Sequence, residues 1–369
     1  MPSIFVMKPH TRSSPAPIAP GASAYRNRKV LVTGGLGFIG SNLAIRLVEA
    51  GASVTIVDSM LPGCGANPFN VASVESEIRV IAADVGDPEE FSAQLAETQI
   101  VFNLAGEISH SRSMEQPERD LQVNTLSQLR FLLACREYCP AARIVYAGTR
   151  QVYGKPEYLP VDERHPIHPV DFNGVHKYAA MQYHLLLARR GDLDCIALRL
   201  SNVYGPRMAL HLPQQGFLGL YLRQALEGKP IMVYGDGSQL RDPVHVGDVV
   251  DAFLLAGVAS RLDSRKFNIG GPQVVCVGEI AATVACLGGA TAVHEIPFPD
   301  DARRIDVGSY YSETARARRE LGWTPRIELG DGIQSTLAFY RTYRDHYICP
   351  NEQVVAHVAG GKARPAPTA

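Results

Sequence analysis

No stretch of these 369 residues approaches the roughly 18 consecutive apolar side chains that a bilayer crossing needs, so no membrane span is expected. No charge of one sign dominates either. Lys and Arg total 36 against 37 Asp and Glu, and a net charge of −1 argues against nucleic acid as the main partner. The seven cysteines, at 64, 135, 139, 195, 276, 286 and 349, form no CxxC and no His–Cys ligand spacing, so no metal site is expected. Cys135 and Cys139 stand four apart on a predicted helix, which reads as packing. An odd cysteine count without an export signal points to the reducing cytoplasm. No internal repeat is visible. Residues 1–27 are rich in Pro, Ser and Ala without a period and read as a disordered extension; 349–369 read as a tail. What remains is 46% apolar overall and long enough for one large or two unequal domains.

The chain is organised around Lys29 to Gly40, KVLVTGGLGFIG. Val30, Leu31 and Val32 predict a buried parallel strand, Thr33 to Gly40 a glycine-rich turn, and Ser41 to Ala50 a helix. Strand, glycine turn and helix together bind a dinucleotide pyrophosphate, because missing side chains admit the phosphates to the backbone N–H groups of a helix N-terminus. The spacing fits GxGxxG through Gly35, Gly37 and Gly40, and GxxGxxG through Gly34, Gly37 and Gly40. A second strand, Ser53 to Val57, ends at Asp58, where a carboxylate accepts from the adenosine ribose hydroxyls. A 2′-phosphate would be repelled there, which favours NAD over NADP.

Further strands at Ile78 to Ala82, Ile100 to Leu104 and Arg143 to Ala147 alternate with helical patterns from about Pro88 and over Asp120 to Glu137. That rhythm predicts an α/β fold with a Rossmann-like doubly wound parallel sheet and a site at the strand carboxyl ends. After about residue 205 the rhythm breaks. The expected division is 28–200 for the dinucleotide domain, with parts of 230–270 returning to it, and 201–348 for a smaller, sequence-interleaved C-terminal substrate domain.

The residues by this point resemble the extended short-chain dehydrogenase/reductase family of nucleotide-sugar epimerases and dehydratases. The resemblance rests on TGGLGFIG (33–40), VTIVD (54–58), AADVGD (82–87), VFNLAG (101–106), IVYAGTRQVYG (144–154), RLSNVYGPR (199–207), VYGDGSQLRDPVHVGDVVDAF (233–253), FNIGG (267–271) and LGWTP (321–325). It implies bound NAD, with Gly34, Gly37, Phe38, Ile39 and Gly40 at the pyrophosphate and Asp58 at the ribose. Asp84 and Val85 flank the adenine, Leu104, Ala105 and Gly106 run beside the cofactor, and Asn124 serves as a structural bridge. Asn202 and Arg241 hold a substrate diphosphate, Arg304 is a looser match for that role, and Glu107 lies on the substrate side. The resemblance also implies a homodimer paired through helices at 120–137 and 173–189.

The family uses a Ser or Thr with a YxxxK pair, in which the tyrosine moves the proton. Thr149 and Lys177 fit, but the tyrosine position holds Asn173, whose amide is neither acid nor base near neutral pH. Candidates for the missing proton carrier are Tyr178, His176, Glu107, His110 and Tyr153. Tyr178 reaches the site only if the helix is displaced, since one residue rotates it by about 100°. The family's 4,6-dehydratases carry Thr-Asp-Glu where this chain has Thr149-Arg150-Gln151, which disfavours their elimination route. The sequence therefore reads as an NAD-dependent nucleotide-sugar epimerase of the UDP-glucose 4-epimerase type, with Thr149, Asn173, Lys177 and Tyr178 as its catalytic set. A related dehydratase, decarboxylase or oxidoreductase, and a silent NAD or nucleotide-sugar binding protein, are the alternatives.

Overall fold

The computed structural model describes residues 22–212 and 216–348. Seven parallel strands form the central sheet: β1 (Lys29–Thr33), β2 (Ser53–Asp58), β3 (Ile78–Ala82), β4 (Ile100–Asn103), β5 (Arg143–Thr149), β6 (Asp194–Leu200) and β7 (Lys266–Ile269). Their order across the sheet is β7-β6-β5-β4-β1-β2-β3, so the chain reverses direction between β1 and β4. That reversal opens a crevice at the strand carboxyl ends, where doubly wound sheets bind ligands. The doubly wound sheet expected from the alternating pattern is thus present. β7 returns from late in the chain to pair with β6, Phe267 beside Leu198.

β1, β4 and most of β5 are apolar and buried because helices cover both sheet faces. On one face, Val30, Val32, Phe102 and Leu198 pack with α1 (Phe38–Glu49) and with Val249 and Phe253 of the later helix Val246–Val258. On the other, Leu31, Val101 and Ile144 pack with Phe131 and Cys135 of α2 (Ser127–Tyr138). Cys139 is buried in that second cluster too, in keeping with a packing role for the cysteine pair.

Two sequence expectations need correction. The extension was expected to run to residue 27, yet Tyr25 is fully buried and its hydroxyl donates to the Leu254 carbonyl at 2.6 Å. Only its first 21 residues lie outside the described residues, as does the tail at 349–369. The helix expected over Asp120 to Glu137 is three pieces: Pro117–Leu121, a π-helical turn at Gln122–Leu126, and α2. Such a turn is a one-residue insertion into the helix and leaves no mark on composition.

Beyond residue 200, Tyr204, Leu222, Ile231, Ile280, Ile333, Leu337 and Tyr340 build a third hydrophobic cluster. Around it run short paired strands, among them Leu240–Arg241 against Val275–Cys276.

Candidate functional site

Gly34, Gly37 and Gly40 line a cleft at the reversal point, and Gly35 does not. Of the two glycine patterns the sequence allowed, the cleft uses GxxGxxG. Gly34 has a φ of +65°, and a Cβ there would stand 2.9 Å from the Leu104 carbonyl oxygen. Gly35 is small for another reason, since its Cβ would press on the Ile56 side chain. No side chain caps the N-terminus of α1 at Gly37, which leaves first-turn N–H groups for a phosphate.

The remaining cofactor residues read from the sequence also line this cleft: Phe38, Ile39, Asp58, Asp84, Val85, Leu104, Ala105, Gly106 and Lys177. Asp58 accepts from the N–H groups of Leu36 at 3.0 Å and Met60 at 2.9 Å, which fixes its carboxylate at the end of β2. Burial pushes that carboxyl up, against the pull of the two N–H groups. The buried Thr33 hydroxyl accepts from the N–H groups of Leu104 and Ala105, both at 3.1 Å, and so fastens the 104–106 wall to β1.

α3 (Phe172–Arg190) supplies the floor. Its N-cap is Asp171, whose Oδ1 accepts from Gly174 N at 2.7 Å. Lys177 is buried, and burial lowers it to about 8 despite the nearby charges of Asp120 and Glu107. At Gly106 an added Cβ would meet both Lys177 Nζ and Asn124 Oδ1, at 2.5 and 2.6 Å, so a larger residue cannot stand between them. Asn124 lies on the π-turn. Its Oδ1 accepts from Glu107 N at 3.1 Å, the bridging role expected of it, while its buried Nδ2 has no partner among the described residues.

The structure holds Asn173 in place rather than presenting it as a reactant. It lines the cleft, but its Nδ2 donates to the Glu107 carbonyl at 3.1 Å and to Asp120 Oδ2 at 3.0 Å. Its own N–H donates to Ser113 Oγ at 3.1 Å. Tyr178 corrects the sequence reading: it lines neither this cleft nor the cavity beside it and packs toward Val152, Tyr153, Tyr310 and Met181. The helix is not displaced there, so the one-residue rotation turns the ring into the core. Tyr153 is equally committed, its buried hydroxyl donating to Asn268 Oδ1 and accepting from Arg199 Nη1, each at 2.6 Å. His176 places Nδ1 2.8 Å from Asp120 Oδ1 and lines neither of these two cavities. Glu107 lines the cleft, but its Oε1 accepts from Arg119 Nε at 2.8 Å, lies 2.7 Å from Nη2 of the same guanidinium, and meets Cys64 Sγ at 3.2 Å.

A second cavity adjoins the first. Phe38, Ile39, Ile108, His110, Gly148, Thr149 and Leu200 line both. Its own walls include Arg150, Gln151, Asn202, Arg241 and Asp306. The Oδ1 of Asn202, the Nε of Arg241 and the Nη1 of Arg150 are buried there without a partner among the described residues. Arg241 is 7% exposed, so it is no surface ion pair. Its Nη1 donates to the Leu240 carbonyl at 2.8 Å and to Gly308 O at 2.5 Å, and Asp306 lies 3.7 Å from Nη2. Burial, and secondly the Arg150 charge, pull Arg241 down to about 10. Two desolvated cations with unfilled donors make a receptor for an anion. Arg304 is exposed and lines neither cavity, although Ile305, Asp306 and Val307 line the second. That placement does not support the looser match made for it.

Sequence reasoning read Arg150 only as an argument against elimination and missed its place in the cavity wall. The available signal was its position directly after Thr149 at the end of β5. Reasoning along the chain also missed the pairing of His110 with Asp171, whose Nδ1 and Oδ2 stand 2.9 Å apart.

The family model described as the NAD dependent epimerase/dehydratase family matches residues 30–270. The UDP-glucose 4-epimerase of Mycolicibacterium smegmatis is 33% identical over 316 residues, covering 85% of this chain and 98% of that relative. A solved UDP-glucose 4-epimerase of Thermotoga maritima with UDP-glucose is similar at a TM-score of 0.78 and 28% identity, over 85% of this chain and 99% of that one. MoeE5 in complex with UDP-glucuronic acid and NAD is similar at a TM-score of 0.73 and 32% identity, again over 85% and 99%.

Proposed function

Because the chain belongs to the NAD-dependent epimerase/dehydratase family, we propose that it is a nucleotide-sugar epimerase that inverts a hydroxyl-bearing carbon of a UDP-sugar. The observation that carries this reading is the joining of the two cavities at Thr149. One side holds the glycine cradle, Asp58 and Lys177; the other holds two buried guanidiniums with unfilled donors. The glycine cradle, Asp58 and Lys177 would hold NAD, which would supply a hydride acceptor for the sugar carbon and a hydride donor for its return.

The chain's own residues do the rest. Arg241 and Asn202 bind the diphosphate and so place the sugar toward Thr149, whose hydroxyl orients the reacting oxygen. Lys177 holds the nicotinamide ribose and supplies positive charge. Asn173, pinned by Asp120 and the Glu107 carbonyl, keeps the 107–113 segment against α3. Elimination is disfavoured because Gln151 spends its Nε2 on Asp171 Oδ2 at 3.2 Å and Arg150 is a cation, so neither does the work of an acidic pair.

Arg150 favours one substrate class within this reading. Its unsatisfied Nη1 follows Thr149 in the wall, where a carboxylate on the sugar would meet it, so a hexuronate is preferred over the neutral hexose. Exposed Leu126 and Leu133 of the π-turn and α2, with Phe172, Val175 and Leu186 of α3 or beside its start, support a homodimer through these helices.

The test is incubation of the purified protein and NAD with UDP-glucose, UDP-glucuronic acid and dTDP-, GDP- and CDP-sugars, followed by proton NMR and mass spectrometry. A new epimer of unchanged mass with no accumulating NADH is the expected product. A product lacking water or carbon dioxide assigns the chain to a lyase instead, and an unchanged panel removes the enzymatic reading. Loss of turnover in Lys177→Ala separates an enzyme from a binding protein, which has none to lose.

A further inference from the structure

We propose that His110, positioned by Asp171, is the proton carrier that replaces the missing tyrosine. This rests on the epimerase reading and deepens it. The two cavities meet where a dinucleotide bound in the first must face a sugar bound in the second. Among the residues lining both, only Thr149 and His110 carry polar side chains, and of these two only the imidazole is a side chain commonly used as a general base.

Its surroundings are those of a general base. Nδ1 stands 2.9 Å from Oδ2 of the buried Asp171, close enough to pair though off the straight line of a hydrogen bond. Contacts of this kind tighten when substrate binds. With Nδ1 turned to the carboxylate as N–H, Nε2 is the accepting nitrogen, and it has no partner among the described residues. Asp171 is itself held, by Gly174 N and by Gln151 Nε2. The ring's own segment is fixed as well: Ser113 Oγ donates to the His110 carbonyl at 2.7 Å and accepts from Asn173 N. Ser109 Oγ caps that short helix through Arg112 N at 3.1 Å. Asn173 therefore anchors the base instead of being it.

The rival groups are occupied. Glu107 is ion-paired with Arg119, His176 is held by Asp120, and Tyr153 and Tyr178 point into the core. Lys177 lines the first cavity alone. In the oxidising half, the sugar O–H bond breaks and its proton passes to Nε2, while the C–H electron pair leaves as hydride to the dinucleotide and a C=O bond forms. In the returning half, hydride is restored to the other face and the imidazolium gives the proton back to the oxygen. Atoms and charge balance with NAD as the only oxidant.

The experiment compares wild type, His110→Gln, His110→Gly and Asp171→Asn with UDP-glucose and UDP-glucuronic acid. Asn keeps the helix cap while removing the charge. In His110→Gln, turnover should fall by about 10²- to 10⁴-fold, the usual worth of a general base. Its dissociation constant for UDP-glucose by calorimetry, with and without NAD, should stay near the wild-type value. Added imidazole should restore part of the lost rate in His110→Gly, and Asp171→Asn should lower kcat with little change in KM. Turnover in His110→Gln close to that of an active wild type, or binding lost in step with rate, overturns the proposal alone. A wild type that converts neither sugar removes the epimerase reading for these two substrates and the proposal with it.

Discussion

The amide of Asn173 and the ring of His176 share one carboxylate: Nδ2 of Asn173 lies 3.0 Å from Asp120 Oδ2, and Nδ1 of His176 lies 2.8 Å from Oδ1. All three residues are buried. Asn173 is thus part of a clasp between the 117–121 helix and α3. Asn173→Asp would set two carboxylates against each other, and one would have to keep its proton. A carboxyl whose folded pKa is raised above its unfolded value costs more stability as pH climbs. The melting temperature should therefore fall below wild type at pH 7, with the gap narrowing toward pH 5. Equal melting curves at both pH values would show that the clasp carries no weight.

Burial lowers Lys177 from its ordinary 10.5 to about 8. Its charge is therefore lost as pH rises through about 8, and if Lys177 holds the nicotinamide ribose as proposed, its charge-assisted bonds there weaken with it. NAD affinity measured by calorimetry should drop between pH 7 and pH 9, while Lys177→Met should bind weakly with no such step. The linkage sign is the reverse for stability. Below about 8 the folded state carries a desolvated cation, and that cost is relieved between about 8 and 10.5. Buried lysine then adds to stability relative to neutral pH, and Lys177→Met should lack that rise.

The sheet and the glycine cradle were legible because both depend on local pattern. Strand patterns at 30–32, 53–57 and 100–102, each ending in a turn, place Gly34, Asp58 and Leu104 in one crevice by topology alone. Tyr25 was not legible, since nothing in a Pro- and Ser-rich segment announces a hydroxyl that reaches Leu254. The rotation argument already placed Tyr178 off the Lys177 face, and keeping it as a candidate required a helix distortion that α3 does not have. The pairing of His110 with Asp171 joins a short helix to the N-cap of α3, two places far apart in the sequence, so only the folded chain brings them together.

Gly40 faces the tightest spot in the cradle, where an added Cβ would run into the Gly34 carbonyl. Gly40→Ala must displace either α1 or the turn, and both line the cleft. The variant should lose NAD binding by at least tenfold in a fluorescence titration. Its UDP affinity should be retained, because the second cavity does not include Gly40. Loss of both ligands together would mean general unfolding rather than a damaged cradle.

Arg150 and Arg241 are two arginines with buried guanidiniums in the wall of the second cavity. Arg150 lies with its guanidinium carbon 4.7 Å from the Tyr310 ring centroid and keeps Nη1 unfilled, while Arg241 keeps Nε unfilled. If Arg241 holds the diphosphate, Arg241→Gln should raise KM for every UDP-sugar by about tenfold or more, the loss of one charge-assisted bond being worth about 1.5–3 kcal/mol. If Arg150 meets a sugar carboxylate, Arg150→Gln should raise KM for UDP-glucuronic acid by a similar factor and leave UDP-glucose nearly unchanged. Arg150 would then set the sugar and Arg241 the nucleotide diphosphate, and a double variant should lose the two factors independently with UDP-glucuronic acid. Equal losses for both sugars in Arg150→Gln would place this guanidinium on the diphosphate as well, and the preference for a hexuronate would be withdrawn.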